Sequence, residues 1–172
     1  MNAKHAVWGL GYLVGCAGGS DDSVDSDADT DAVAAVAVTA GDYALTAADD
    51  GSTDCTGEGA PETDFIEDLF FVVDSSWDTA FSGTAGFNDE FSFSYDCTQT
   101  GSGFACESSV FESPMGDTTS VFWSFTATGS VIDESTLEGS LALLRECEGD
   151  LCEQVDIQAA CTTTQGFSAT LE

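Results

Sequence analysis

Basic side chains are almost absent from this chain. Its 172 residues include two Lys or Arg and one His, against 32 Asp or Glu, so the formal net charge is −30 at pH 7. Lys4 and His5 precede Cys16 and every acid follows it, which leaves Arg145 as the only base beyond that cysteine. Such a surface excludes nucleic acid as a partner, because phosphate is bound through Lys and Arg.

The missing bases also exclude most enzyme mechanisms. Beyond residue 5 the sequence has no histidine for a catalytic triad or a zinc site, and no lysine for a Schiff base or a phosphate loop. We therefore expect a protein that is not an enzyme and has no cofactor. The alternative from the enzyme class is a carboxylate-dependent glycoside hydrolase, which needs two acids about 5 to 10 Å apart in one cleft.

No apolar run is long enough to span a membrane. The stretch from Ala6 to Val14 has nine residues, whereas a transmembrane helix needs about 20. It follows the positive charge of Lys4 and ends in Leu13-Val14-Gly15-Cys16. Residues 1–15 therefore have the organisation of a secretory signal peptide.

The four residues Leu13-Val14-Gly15-Cys16 resemble the lipobox of bacterial lipoproteins, and the resemblance covers the first 16 residues. It implies cleavage before Cys16, a diacylglyceryl group on the Cys16 sulfur and an acyl chain such as palmitate on the new amino terminus. Two or more acyl chains anchor a protein stably. Because Ala17 and not Asp follows the cysteine, the resemblance points to the bacterial cell envelope, at the outer membrane or the cell surface, with the membrane contacted through lipid.

Two further regions follow the signal peptide. Residues 16–31 contain six Asp and one large aliphatic residue, which predicts a lipidated cysteine followed by a disordered acidic tether. Residues 32–172 are richer in Val, Thr and Phe and predict a single disulfide-braced β domain. Once the signal is removed, one arginine faces 32 acids, a formal charge of −31. This acidity suits either a saline habitat, where salt screens the repulsion, or solubility alone.

Alternation of apolar and polar residues predicts an all-β fold. The clearest case places Phe91, Phe93, Tyr95 and Cys97 on one face of a strand. Comparable runs predict about eight antiparallel strands, among them separate strands over 155–161 and 167–171, with Phe81 and Phe87 on either side of a glycine-rich turn. Such a meander closes as a small barrel of the lipocalin or avidin type, or folds as a β-sandwich.

Six cysteines remain when Cys16 is set aside, an even number that suits an exported protein braced by disulfides. The predicted hairpins favour Cys97–Cys106 and Cys147–Cys152, which leaves Cys55 to pair with Cys161. No CxxC pair occurs, so we expect no metal centre. Weak calcium binding by acidic loops is the one exception; the candidates are Asp49, Asp50 and Asp54, and Glu146, Glu148 and Asp150.

Aromatic residues on the predicted strands are candidates for a ligand cavity, with ordinary core packing as the alternative. They are Trp77, Phe91, Phe93, Tyr95, Trp123 and Phe125. Among them Trp77, Trp123 and Tyr95 are the predicted ligand-binding residues, and the segments Trp77–Asp78 and 87–90 are candidates for sugar binding. Arg145 is predicted either to anchor an anionic ligand or to pair with Glu146 or Glu148.

These features favour a lipid-anchored, non-catalytic β domain that binds an unknown ligand or partner or serves the structure of the envelope. A second possibility is a carrier of a small apolar ligand, which requires an internal cavity of about 300 Å³ or more.

The first prediction concerns the anchor. Protein purified from the membranes of a lipoprotein-processing host should carry the mass of two or three acyl chains, and Cys16→Ser should abolish that mass shift. Six further thiols should react with an alkylating agent only after reduction. Intact mass spectrometry measures both, and an unlipidated chain with seven reactive or reducible thiols would refute the anchor.

Overall fold

The barrel is closed by eight antiparallel strands. A computed structural model describes residues 35–57 and 59–172; the predicted signal peptide and tether lie outside them. In chain order the elements are β1 (Gly41–Ala47), β2 (Ser52–Thr53), a 3-10 helix (Phe65–Asp68), β3 (Phe70–Trp77), β4 (Ala80–Asn88), β5 (Phe91–Thr100), β6 (Gly103–Ser108), β7 (Phe111–Pro114), β8 (Ser120–Asp133), β9 (Thr136–Glu148), α1 (Leu151–Gln154) and β10 (Ala160–Leu171). The all-β prediction is confirmed, and of its two forms the barrel is the one observed.

The barrel strands follow the order β1-β3-β4-β5-β6-β8-β9-β10, and β10 returns to β1, with Tyr43 opposite Leu171 and Ala47 opposite Phe167. Two short strands flank this wall, because β2 pairs with β10 and β7 pairs with β8. Within the described residues, no helix is long and apolar enough to cross a membrane.

Aromatic rings fill the interior of the barrel. The inward face of β5 places Phe93 and Tyr95 on the axis, and both are almost fully buried. Phe71 stacks on Tyr95 with ring centroids 4.7 Å apart, while Phe125 meets Phe93 edge to face at 5.6 Å. Each such pair contributes about 0.5 to 1.5 kcal/mol beyond the burial of its surface. The outward residues of β5 are Ser, Thr and Asp, as the alternation predicts.

One predicted turn is wrong. Phe81 and Phe87 do not flank a turn but lie on the single strand β4, which contains Gly83 and Gly86. A Cβ atom at Gly83 would collide with the carbonyl oxygen of Val72 and the hydroxyl of Tyr95. Gly83 therefore leaves the space that the Tyr95 ring occupies. Because glycine in a strand often marks a bulge or a bend, the sequence pattern here predicted a turn.

The predicted boundaries near the chain ends are also corrected. Residues 155–159 are not a strand; α1 and an irregular segment precede β10, and the two predicted runs 155–161 and 167–171 are replaced by one strand from Ala160 to Leu171. The disulfide at Cys152 holds the short helix here. At the other end, β1 begins only at Gly41, although the apolar run starts earlier.

Each end of the barrel is covered by a segment that does not belong to the eight barrel strands. Residues 35–40 cover the end near the β3–β4 turn, where Val38 is buried and the amide of Gln99 donates to the carbonyl of Val36 at 2.8 Å. The opposite end is covered by residues 48–57 and 59–69, which we call the cap. It contains the 3-10 helix, whose Phe65 and Ile66 are buried.

Three disulfides have the pairings favoured by the sequence. Cys97 and Cys106 lie opposite each other on β5 and β6, Cys147 joins the end of β9 to α1 through Cys152, and Cys55 joins the cap to β10 through Cys161. The first two close short loops. The bridge from Cys55 to Cys161 spans 106 residues and connects the cap to the last strand.

Loop length predicts which disulfide matters most. Cys55→Ala/Cys161→Ala should lower the free energy of unfolding by about 4 to 5 kcal/mol, and Cys97→Ala/Cys106→Ala by about 3 kcal/mol or less, because a longer closed loop restricts the unfolded chain more. Urea titration of both variants measures the difference. The two pairs remove the same buried atoms, so equal losses would contradict the loop-entropy explanation.

Candidate functional site

An apolar cleft of about 230 Å³ lies between the cap and the barrel wall. The cap contributes Pro61, Glu62, Phe65 and Asp68, and the strands contribute Phe87, Phe91, Trp123 and Leu143. The rings of Phe87, Phe91 and Trp123 are only partly buried. The cleft is therefore a place where the aromatic interior of the barrel reaches solvent.

A distorted hairpin positions two of the aromatic rings. Gly86 pairs with Ser92 and Asn88 with Phe91, so Phe87 is the extra residue of a β-bulge. The side-chain oxygen of Asn88 accepts hydrogen bonds from the backbone N–H groups of Glu90 and Phe91, both at 2.9 Å, and closes the turn. Bulges re-aim side chains, and here Phe87 stacks on Phe91 with ring centroids 5.3 Å apart and an angle of 10° between the planes.

Trp123 supplies the second wall of the cleft. It lies on β8 opposite Arg145 of β9 and Phe111 of β7. Its ring meets that of Phe91 at 5.5 Å and 79°, so the two rings stand almost perpendicular to each other. The Phe91 ring also contacts Phe111 at 4.7 Å, and this packing holds the wall in place.

A buried glutamine fixes the cap above the cleft. Gln165 of β10 accepts a hydrogen bond from the N–H of Ile66 at 3.0 Å and donates to the carbonyl of Asp49 at 3.0 Å. The carboxylate of Asp49 in turn accepts from the N–H groups of Gly51 and Gly166, both at 2.9 Å. Because a buried amide without partners is costly, these bonds define where the 3-10 helix lies.

Both charged side chains of the cleft are acids of the cap. Glu62 lies before the 3-10 helix and Asp68 ends it, and both are exposed to solvent. Among the described residues no base lines the cleft. The site thus combines aromatic faces with two carboxylates at its rim.

Among the four predicted ligand-binding residues, Trp123 alone lines this cleft. Trp77 is 58% exposed beside the β3–β4 turn, at the opposite end of the barrel. Tyr95 is part of the core, and its hydroxyl donates to the carbonyl of Val72 at 2.9 Å. Burial raises the pKa of Tyr95, with the negative charge of Asp74 as the second cause.

Arg145 faces into the barrel and is 1% exposed. Its guanidinium donates to the carbonyl of Thr56 in the cap at 3.2 Å, and burial lowers the pKa of the group. Strand alternation turns Glu146 and Glu148 outward, so neither shares the face of Arg145. The arginine links the end of β9 to the cap, and it does not line the cleft.

The acidic loops are used mainly to hold the backbone. Asp49 binds the N–H groups named above, and Asp54 accepts from the N–H of Thr162. Within the described part of the chain, one group of three potential metal ligands converges, namely Asp54, Cys55 and Cys161. Its two cysteines form a disulfide, which leaves one carboxylate and makes the group unsuitable for a metal ion.

Sequence reasoning missed the contribution of the cap. Phe65, Glu62 and Asp68 lie in a stretch that reads as a polar loop with a short turn, and no local pattern places it over the barrel. Gln165 did carry a signal, because it interrupts the inward apolar face of β10 between Thr163 and Phe167.

Comparisons of this chain with protein-family models, with curated proteins and with solved structures gave no match. Its function must therefore be argued from the geometry of the cleft.

The assignment of Tyr95 to the core predicts a pH effect. The phenol of an unfolded tyrosine ionises near pH 10, and burial raises the pKa of the Tyr95 phenol in the folded protein. The stabilisation of the fold by un-ionised Tyr95 is therefore fully present below pH 10 and is lost as the pH rises further. Tyr95→Phe should cost about 1 kcal/mol at pH 7 through the lost hydrogen bond. Above pH 10 the free energy of unfolding should fall less steeply with pH in Tyr95→Phe than in the unsubstituted protein, by up to about 1.4 kcal/mol per pH unit. Urea titrations at pH 8 and 11 test this, and an unchanged alkaline decline would contradict it.

Proposed function

We propose that this protein is a lipid-anchored, non-catalytic binding barrel of the bacterial cell envelope, and that its ligand site is the cleft under the cap. The observation that carries the proposal is the group of half-buried aromatic rings around the cleft. Phe87, Phe91 and Trp123 belong to the same network of rings as the core, yet they border an open space. Binding sites are concave, mostly apolar and supplied with a few polar groups, and this cleft has that composition.

The size of the cleft limits the ligand. A volume of about 230 Å³ is below the roughly 300 Å³ typical of pockets for drug-sized ligands. The barrel axis is occupied by Phe71, Phe93, Tyr95 and Phe125, so a long acyl chain would have to displace core residues. The structure therefore suits a small ligand bound at the mouth of the barrel better than an apolar molecule carried inside it.

A glycoside hydrolase is the competing function, because Glu62 and Asp68 line one cleft. The other lining side chains, apart from the indole N–H of Trp123, are apolar and offer nothing to the many hydroxyls of a sugar. Burying hydroxyls without hydrogen bonds is costly. We therefore favour binding over hydrolysis; turnover of an aryl glycoside that is lost in Glu62→Gln would reverse that preference.

The anchoring part of the proposal is supported by the lipobox and the acidic tether of the sequence. With a surface this acidic, anionic lipid headgroups are repelled, so a covalent lipid suits the barrel better than direct adsorption. A tethered barrel would keep its cleft accessible to solutes.

Trp123 provides a direct test of the binding site. In Trp8→Phe/Trp77→Phe, Trp123 is the only remaining tryptophan. Titration with small neutral compounds such as benzyl alcohol or 3,3-dimethyl-1-butanol should change its fluorescence in a saturable manner, because the ligand would contact the ring. The converse variant, Trp8→Phe/Trp123→Phe, reports from Trp77 at the far end and should show no saturable change. Equal responses of both tryptophans would contradict a site in the cleft.

A further inference from the structure

We propose that the cleft prefers a small organic cation, with a quaternary ammonium group as the species that fits best; the inference rests on the cleft being the ligand site. The first argument is the arrangement of the rings. Phe87 and Phe91 are stacked nearly parallel, and Trp123 stands at 79° to Phe91. The face of an aromatic ring is its negative part, and tryptophan attracts cations most strongly. All three rings line the cleft, so a cation bound there would lie against aromatic carbon on more than one side.

The second argument is the charge at the rim. Glu62 and Asp68 line the same cleft from the side of the cap, and the cap is fixed to β10 through Gln165. A methylated ammonium ion presents no N–H donor, so it gains from nearby carboxylates through charge alone and loses nothing when the walls are apolar. A primary amine or a metal ion would instead need several oxygen ligands that these walls do not supply.

The third argument is the field of the whole protein. Beyond residue 5 the sole base, Arg145, directs its guanidinium to the carbonyl of Thr56 and does not line the cleft. A molecule with one base and 32 acids concentrates cations at its clefts and repels anions. Charge therefore selects against carboxylate and phosphate ligands of the same size.

The experiment compares choline with its neutral carbon isostere, 3,3-dimethyl-1-butanol, on the full chain at constant ionic strength. Calorimetry and the fluorescence of Trp123 both report binding. Choline should bind at least about fivefold more tightly than the isostere, which is the preference expected of one favourable cation–π site with carboxylate support. Glycerophosphocholine, tested in parallel, separates the two sources of this chemistry: equal affinity assigns a lipid headgroup, and weaker affinity assigns a free cation.

Variants locate the preference. Glu62→Gln/Asp68→Asn should weaken choline binding about five- to thirtyfold and leave the isostere unaffected. Asp96→Asn/Glu107→Gln removes the same charge from the outer face of β5 and β6, and it should change choline binding less than twofold. Trp123→Leu should reduce the preference for choline over the isostere, because the carboxylates remain and the cation–π contribution of the indole is lost.

Each outcome has a distinct meaning. Equal binding of choline and the isostere overturns the cation preference but leaves the proposed binding site intact. Absence of binding by either compound overturns both. An equal effect of the two charge variants attributes the preference to the general field of the protein and overturns the role given to Glu62 and Asp68.

Discussion

Repulsion among the acidic side chains is the constraint that every other part of this molecule has to offset. Ion pairs cannot do so, since beyond residue 5 the chain has one base, and it is used between β9 and the cap. On the outer surface Asp96 even lies directly opposite Glu107, an arrangement that destabilises a pair of strands. Stability must therefore come from apolar burial, main-chain hydrogen bonds and covalent links.

Apolar burial in the interior of the barrel offsets this repulsion. Phenylalanine and tyrosine rings fill the barrel axis, and closure removes the exposed edges that aromatic strands would otherwise offer to other chains. Two of the three disulfides hold segments with little strand pairing, namely the cap and the segment around α1, and the third joins β5 to β6. The carboxylates that do fold back, such as Asp49 and Asp54, accept hydrogen bonds from backbone N–H groups, which is the contact available to an acid without a cation.

Much of the fold follows from the alternation of apolar and polar residues. This pattern predicted β5, β8 and β9 because one face of each strand is buried and the other faces solvent. The Cys97–Cys106 disulfide was predictable for the same reason, since the two strands place these cysteines opposite each other. Cys147–Cys152 followed from the short turn between its cysteines, and Cys55–Cys161 followed by elimination. Gly83 was misread because its purpose is to leave space for Tyr95, a residue twelve positions away that only the register of β4 and β5 identifies. The candidate site was less predictable. Trp123 was named, but the cap that completes the cleft depends on hydrogen bonds from Gln165 to Ile66 and Asp49. A polar residue on an apolar face shows that a partner exists but does not identify it.

The cleft is lined by two parts of the structure, the barrel strands and the cap. The aromatic wall belongs to strands whose other residues form the core, so its rings are held by the same packing that holds the barrel. The two acids are exposed residues of the cap, which contacts the barrel through the buried side chains of Phe65 and Ile66, hydrogen bonds and one disulfide. A change of charge at Glu62 or Asp68 should therefore be tolerated by the fold, whereas a change at Phe91 would disturb its neighbours Phe93 and Phe111.

The pairing of β10 with β1 has a consequence for the order of synthesis. The strand that closes the barrel is the last of the ten described strands in chain order; it contains Gln165 and Cys161 and also pairs with β9 and β2. A growing chain that lacks it has two open edges, an unsupported cap and an unpaired Cys55. Closure of the barrel, support of the cap and formation of the long disulfide are therefore all delayed until β10 has been synthesised.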